Sequence, residues 1–415
     1  MSAAAQQATA AAPEAGQGPL AGYRVLELCS TIAGPVCARL FADFGAEVIK
    51  VEPPEGDPVR NMGSHEGDVS LYAASILRNK RVVAIDMKQP EGRELVRELA
   101  ARCDVLIENF RPGTLERMGL DYAGLSARNP GLVMVRISGY GQNGPYAARP
   151  GYGVTCEAVG GVRHMTGDPD RPPARVALAT TDEHTAVVAA FGAMMALLHR
   201  ERTGRGQVVD TALYEAAFSM MEPHVPAYDR LKRVPMRVGP NLPSTAPNSL
   251  YPSADGEYVL IAANNDAIFR RLADAMGQPA LADDPDYATQ RARAARVNEL
   301  NELVAAWSRT LSGRDIERRL LDAGVPVSRV YTIADIFEDP HFKAREMLVK
   351  MPHPKLGEVT LAGVVPKLSA TPGSIRAVGA EVGHDTRAVL AEVLQLPAER
   401  LERLEREGVI FGEAR

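Results

Sequence analysis

The stretch of this chain best suited to chemistry is Thr180-Thr181-Asp182-Glu183-His184-Thr185. It follows an apolar run, Arg175-Val176-Ala177-Leu178-Ala179, and precedes a small-residue segment from Ala186 to Leu198. The pattern predicts a buried approach, a turn and a helix over 183–199, stopped by Gly204. The helix body carries almost no charge, so it is expected to be buried on most sides. A carboxylate at its start has two readings. Thr181 or Asp182 could be an N-cap, a short oxygen side chain accepting from free backbone N–H groups. Alternatively, Asp182 is a nucleophile: a carboxylate in a site that excludes water can attack an acyl carbon and carry a covalent intermediate.

The elements that would position Asp182 alternate short apolar runs with helical stretches. Strands are predicted at 24–28, 47–51, 81–86, 103–107, 131–137 and 207–210. Helices are predicted at 35–44, 90–102, 122–128 and 212–221. This alternation indicates a parallel, doubly wound sheet. Residues 53–80 and 138–175 read as irregular, and a long irregular stretch inside a compact domain is usually functional. Ser30-Thr31-Ile32-Ala33-Gly34-Pro35 follows the first strand, so a dinucleotide fingerprint is absent. The proline-studded stretch 223–253 reads as a linker. Beyond it come a strand at 257–262, helices at 266–276, 297–310 and 313–323, and a strand at 325–330. A polar helical stretch at 332–347, a β ribbon within 349–370 and a charged helical tail at 385–408 complete the chain. The expected organisation is a tail at 1–19, a large domain at 20–222 and a linker at 223–253. A small α+β domain at 254–331 and a return segment at 332–415 that rejoins the large domain follow.

With 415 residues, two domains or one elaborated one are expected. The net charge of −5 gives no sign of a nucleic-acid partner, and no apolar run reaches the roughly 20 residues of a membrane span. Residues 1–19 lack a signal-peptide pattern and read as disordered. Cys29, Cys37, Cys103 and Cys156 form no CxxC or metal-binding spacing, so a reduced, cytoplasmic protein without a metal is expected. A Cys29–Cys37 disulfide is the minor alternative.

Several ordered stretches together carry a resemblance. They are Ala33-Gly34-Pro35, Phe44-Gly45-Ala46-Glu47-Val48-Ile49-Lys50-Val51-Glu52, Asn79-Lys80-Arg81, Glu108-Asn109-Phe110-Arg111-Pro112-Gly113 and Gly139-Tyr140-Gly141-Gln142-Asn143-Gly144-Pro145. The Asp182 stretch and Thr203-Gly204-Arg205-Gly206-Gln207 follow. From about residue 20 onward the chain resembles the class III CoA-transferases, the family of formyl-CoA and succinyl-CoA transferases. The resemblance implies an α/β fold: a Rossmann-like parallel-sheet large domain and a smaller domain, in an interlocked homodimer. It implies coenzyme A as co-substrate and Asp182 as the nucleophile, passing CoA through a mixed anhydride and an aspartyl-CoA thioester.

By the same resemblance, Ile32 and Ala33 lie in a CoA-binding loop. Ile85, Asp86, Met87 and Lys88 match a run lining the adenosine site. Asn109, Phe110, Arg111 and Arg117 match the next, where arginine suits phosphate. Part of the family has an arginine where this chain has Pro53; Arg60 is the candidate replacement. The loop Arg149-Pro150-Gly151-Tyr152-Gly153 is expected over the site, with Tyr152 as a lining aromatic. Several family members have an acid where this chain has Gly153, and Glu157 is the nearby substitute to examine.

Three readings compete. A sister branch, the 2-methylacyl-CoA racemases, uses a His–Asp pair of opposed bases. Its histidine falls at the position of Tyr152, and a tyrosine of ordinary pKa is a poor base at pH 7. His164 and His184 are the nearby alternatives. A catalytically silent CoA-binding scaffold is the third reading, and the intact Asp182 argues against it. Pro247-Asn248-Ser249 and Ala262-Ala263-Asn264-Asn265 resemble the branch using succinyl-CoA. A dicarboxylic or hydroxydicarboxylic acceptor is therefore expected. Such an acid needs a cation for its far carboxylate, and Arg163, Arg175 and Arg237 are candidates.

Overall fold

A computed structural model describes residues 18–242 and 245–412. Most of the expected N-terminal tail, residues 1–17, lies outside the described residues, as does Pro243 of the expected linker. Two compact units are distinguished. One comprises residues up to 162, 177–225 and 343–415; the other comprises 163–176 and 226–342.

The larger unit is built on a seven-stranded sheet. Its parallel strands are β1 (Arg24–Leu28), β2 (Glu47–Glu52), β3 (Lys80–Ile85), β4 (Val105–Glu108), β5 (Val133–Ser138) and β6 (Val208–Ala212). They lie in the order β3-β2-β1-β4-β5-β6, the doubly wound arrangement. Both faces of such a sheet are covered, which is why the strands read as apolar runs. Side chains alternate between the faces. Val25, Val48, Val105 and Val135 pack with Phe41 of the helix Ala33–Asp43 and Ala186, Ala189 and Ala193 of the helix Thr180–Thr203. On the opposite face Leu26, Ile49, Val83 and Leu106 meet Leu95 and Leu99, and Leu390, Leu401 and Leu404 from the C-terminal helices.

Two regions are more ordered than expected. Residues 53–80 hold a 3-10 turn at Pro58–Asn61, a small hairpin pairing His65–Glu66 with Val69–Ser70, and a helix at Leu71–Ile76. The stretch 138–175 contains helices at Gly153–Val159 and Val162–Met165. A further strand, Ile410–Phe411, closes the sheet edge antiparallel to β3, with Ile410 opposite Ile85. At two residues it is too short to show periodicity.

The smaller unit has a three-stranded antiparallel sheet of Asn248–Pro252, Tyr258–Ala262 and Val327–Arg329. Its core joins Phe269, Leu300, Trp307 and Leu320 from the helices at 266–276, 297–308 and 313–322. The stretch read as a linker is therefore partly structured: it contains the helix His224–Leu231 and the first strand of this sheet. Pro223 and Pro247 immediately precede these two elements, and Pro252 ends the strand.

Four buried charges lie under the β1 end of the large sheet. Lys50 Nζ reaches Glu27 Oε1 at 2.9 Å, Asp57 Oδ2 at 2.7 Å and the Cys29 carbonyl at 2.9 Å. Lys80 Nζ meets Glu27 Oε2 and the Pro35 carbonyl, each at 2.7 Å. Burial works to lower the Lys50 pKa, but Glu27 and Asp57 outweigh it and hold the ammonium above its usual value. For Lys80 burial wins and the pKa falls. Two cations and two carboxylates make the cluster neutral. Removing one member strands a charge, at about 3–5 kcal/mol. Lys50→Met is therefore expected to lower unfolding stability in urea by that amount; an unchanged midpoint would contradict the role given to the cluster.

Candidate active site

A cavity of about 300 Å³ opens at the carboxyl ends of β1, β4 and β5. The strand order reverses between β1 and β4, so this is the topological switch point, where open α/β sheets bind ligands. Ser30, Thr31 and Ala33 come from the loop and helix after β1, and Asn109, Phe110 and Arg111 from the loop after β4. Asn109 ties the two loops together: its Oδ1 accepts from the Ser30 N–H at 2.9 Å, and its Nδ2 donates to the Ser30 carbonyl at 2.8 Å. Thr31 adopts a left-handed backbone, φ 65°. Its N–H donates to Asp57 Oδ1 at 3.0 Å, so the buried ion cluster holds this wall in place.

The remaining wall is the segment Arg149–Tyr152, brought in by a close backbone approach. A Cβ on Gly139 would stand 2.8 Å from the Gly151 Cα, and one on Gly151 2.7 Å from the Gly139 Cα. Only glycine at both positions permits this crossing. Tyr152 lines the cavity and is 70 % exposed, so it is not merely core packing.

Asp182 completes the wall. The helix starts at Thr180 with Ala179 as N-cap and no side-chain cap. Thr181 and Asp182 are therefore inside the first turn, and the N-cap reading of either is corrected. An anion there is favoured by the helix dipole. Thr181 is buried, and Asp182 faces the cavity. The carboxylate's field reaches its neighbours. The Cys156 thiol is raised mainly by burial with Asp182 adding to it, and Tyr72 is raised by burial, then by Glu183 and Asp182. Among the described residues of the wall, Asp182 is the one carboxylate, and Arg111 and Arg149 are the cations. A carboxylate at a helix start, in a cleft holding two cations, can attack an acyl carbon while anionic groups bind beside it.

The other expected residues divide by position. Ala33, Asn109, Phe110, Arg111, Tyr152 and Asp182 share the cavity. Ile32 sits at the start of the Ala33–Asp43 helix, packed on the core behind the wall. Ile85 is wholly buried, which leaves only its backbone for a ligand. Asp86 Oδ1 accepts from the Lys88 N–H at 2.9 Å, shaping the turn after β3. Met87 packs on the core, and Lys88 is exposed. Arg117 is exposed, donating to Thr114 Oγ1 at 3.0 Å. Those four residues and Arg117 lie outside the cavity wall.

Two substitutes fail. Arg60 is held by both Glu52 oxygens, at 2.9 and 3.1 Å, and by the Ala380 carbonyl at 2.9 Å, so its guanidinium is committed elsewhere. Glu157 is buried and does not line the cavity. Sequence reasoning missed Thr31 and Asp57, and it placed the Arg149 loop without giving Arg149 a role. Its one signal was a lone cation at the start of a glycine-rich loop.

The model of CoA-transferase family III matches residues 20–386. The chain belongs to that family. The enzyme is 46 % identical to the succinyl-CoA–D-citramalate CoA-transferase of Chloroflexus aurantiacus, over 94 % of this chain and 98 % of that one. It is 42 % identical to the β subunit of the succinyl-CoA–L-malate CoA-transferase of the same organism, with the same coverage of each. A CaiB/BaiF family protein from Brucella suis superposes with a TM-score of 0.82 at 35 % identity, covering 91 % of this chain and all of that one. These likenesses make the protein a CoA-transferase. They also agree with the α/β fold described above. All four cysteines of the transferase are free and buried, so the Cys29–Cys37 alternative is not realised.

Gly153 gives the transferase a sharp test. A Cβ there would stand 2.1 Å from Asp182 Oδ2 and 2.8 Å from its Cγ. The clash falls on the end of one side chain, which can swing aside while the fold stays intact. Misplacing a reacting group by about 1 Å can cost about a hundredfold in rate. Gly153→Ala is expected to keep its melting temperature within a few degrees and lose roughly 10- to 100-fold in kcat. Full activity in that variant would mean that Asp182 acts from another position.

Proposed function

We propose that the enzyme moves CoA from succinyl-CoA to a small dicarboxylic or hydroxydicarboxylic acid through Asp182. The observation that carries this reading is the Asp182 carboxylate on the wall of the switch-point cavity, in the first turn of a helix. The carboxylate attacks the thioester carbonyl, the C–S bond breaks, and a mixed anhydride and CoA thiolate form. The thiolate attacks the aspartyl carbonyl and expels succinate, leaving an aspartyl-CoA thioester. The acceptor carboxylate attacks that thioester and releases the thiolate again. The thiolate takes the acceptor's acyl carbon and frees Asp182. One thioester replaces another, so no external energy source is needed. The enzyme must keep water from both acyl intermediates.

The names of the two relatives support the donor and the acceptor class. For CoA itself, Ala33, Asn109, Phe110 and Arg111 serve as the near contacts, with Ile32 shaping their loop. The turn Ile85–Lys88 and Arg117 serve the adenosine end, further along the same carboxyl edge of the sheet. Asn109 acts by holding Ser30, since its amide is already used there. Four free thiols suit a reducing cytoplasm.

A homodimer is part of this reading. The helix Thr180–Thr203 was expected to be buried on most sides, yet Val187, Phe191, Met195 and Leu198 stand exposed on it. Phe191 is 64 % exposed. An apolar stripe of this kind marks an interaction surface, and a second copy of the chain is its proposed cover. The racemase reading is not favoured. No histidine is among the residues that line the cavity. His184 is engaged with Ser219 Oγ at 3.3 Å.

The test is mass spectrometry of acyl-CoA products from succinyl-CoA and a pool of small acids, beside Asp182→Ala. New acyl-CoA species are expected from the wild type and should fall by about three orders of magnitude or more in the variant. Without an acceptor, hydroxylamine should trap a hydroxamate on Asp182. Undiminished transfer by Asp182→Ala would end this mechanism.

A further inference from the structure

The acceptor class raises a question of charge. A diacid that brings one carboxylate to Asp182 brings a second into the same small cavity, against the field of Asp182. That second group needs a cation. Arg163, Arg175 and Arg237 are not among the residues that line the cavity, and Arg237 donates to the Asp168 and His164 carbonyls. Within the cavity wall the cations are Arg111 and Arg149.

We propose that Arg149 is the specificity-determining residue that binds the far carboxylate of the acceptor acid, and of the succinyl group on the donor. This rests on the transferase reading above. Arg149 is exposed to the cavity and forms no ion pair among the described residues. Its guanidinium carbon lies 3.4 Å from the centroid of the Tyr146 ring. Tyr146 in turn meets Tyr140 edge-on, with centroids 6.0 Å apart, and Tyr140 is part of the buried core. The stack fixes the plane of the guanidinium and leaves its N–H edge for a carboxylate. A preset planar fork loses little freedom on binding one.

Position in the chain separates Arg149 from Arg111. Arg149 is four residues before Gly153, whose backbone lies against the Asp182 carboxylate. Four residues span at most about 14 Å even when fully extended. Gly151 pins the segment between them to Gly139. One rigid stretch therefore sets the spacing between the nucleophile and this cation. Arg111 follows β4, on the wall assigned to CoA. A cavity of about 300 Å³ is the size of a small-molecule site.

The experiment compares ¹³C-labelled succinate with its monomethyl ester as acceptors, with succinyl-CoA as donor. The ester keeps the chain and masks the far charge. In a double-displacement reaction kcat/KM for the acceptor reports only the second half-reaction, so the donor drops out. The wild type is expected to prefer succinate by about 10- to 100-fold, the value of one hydrogen-bonded charge pair. Arg149→Gln should lose that preference, its kcat/KM falling for succinate far more than for the ester, while the donor half-reaction, which also uses Arg149, does not enter the comparison. Arg149→Lys, with the charge but without the fork, should fall between. A wild type that does not distinguish the two acids would overturn the proposal. So would equal losses on both acids in Arg149→Gln, which would mark a structural role. A wild type that makes no labelled or esterified acyl-CoA at all would instead remove the transferase reading beneath it.

Discussion

The contact of Lys50 with Glu27 and Asp57 is the constraint on which the cavity depends. Charged side chains inside a parallel sheet are costly unless their charges and hydrogen bonds are matched. Here they are matched with the loops that will carry function. Lys50 takes the Cys29 carbonyl, Lys80 takes the Pro35 carbonyl, and Asp57 takes the Thr31 N–H. The turn after β1 is thus fixed from below at three points. Apolar replacements of the same volume could match its stability, but they could not hold those backbone groups. Asn109 then carries the same fixation across to β4.

Above this floor the site is closed by the absence of side chains. Gly139 and Gly151 let two backbones cross, and Gly153 leaves the space that the Asp182 carboxylate occupies. One flank of the Asp182 carboxylate is therefore main chain. A carboxylate in the first turn is favoured by the helix dipole. An acidic side chain at position 153 could not coexist with Asp182 in this orientation, since even a Cβ there would stand 2.1 Å from its Oδ2.

Much of this was legible from residue order. The β-strands of a sheet covered on both faces are apolar runs, and Arg24–Leu28, Glu47–Glu52 and Val133–Ser138 fell within two residues of their expected limits. The helix at 266–276 was also read to its limits, and in the structure Asn265 caps its start and Gly277 ends it. What was not legible depends on contacts distant in sequence. Ile410–Phe411 is a strand only because β3 offers it an open edge. Asp57 reads as an ordinary loop acid until Lys50 and Thr31 meet it. Arg149 lies in a loop marked for the site, yet its role depends on Tyr146 and on a cavity wall that no spacing rule describes. The N-cap of the Asp182 helix fell at Ala179, a residue with no capping side chain, because the burial of Thr181 outranks local capping preference.

The helix Thr180–Thr203 joins these levels. Its first turn carries Asp182, one side packs on the sheet through Ala186, Ala189 and Ala193, and the other side bears the stripe from Val187 to Leu198. A helix apolar all round belongs in an interior, and here one side of it is left exposed. The residues of the exposed stripe lie three or four apart, as a packed helix face requires. Covering that stripe with a second chain would clamp the helix between two surfaces and stiffen the turn that aims Asp182. Assembly and catalysis would then share one element, and a substitution on the stripe would reach the reaction through the position of a carboxylate it does not touch.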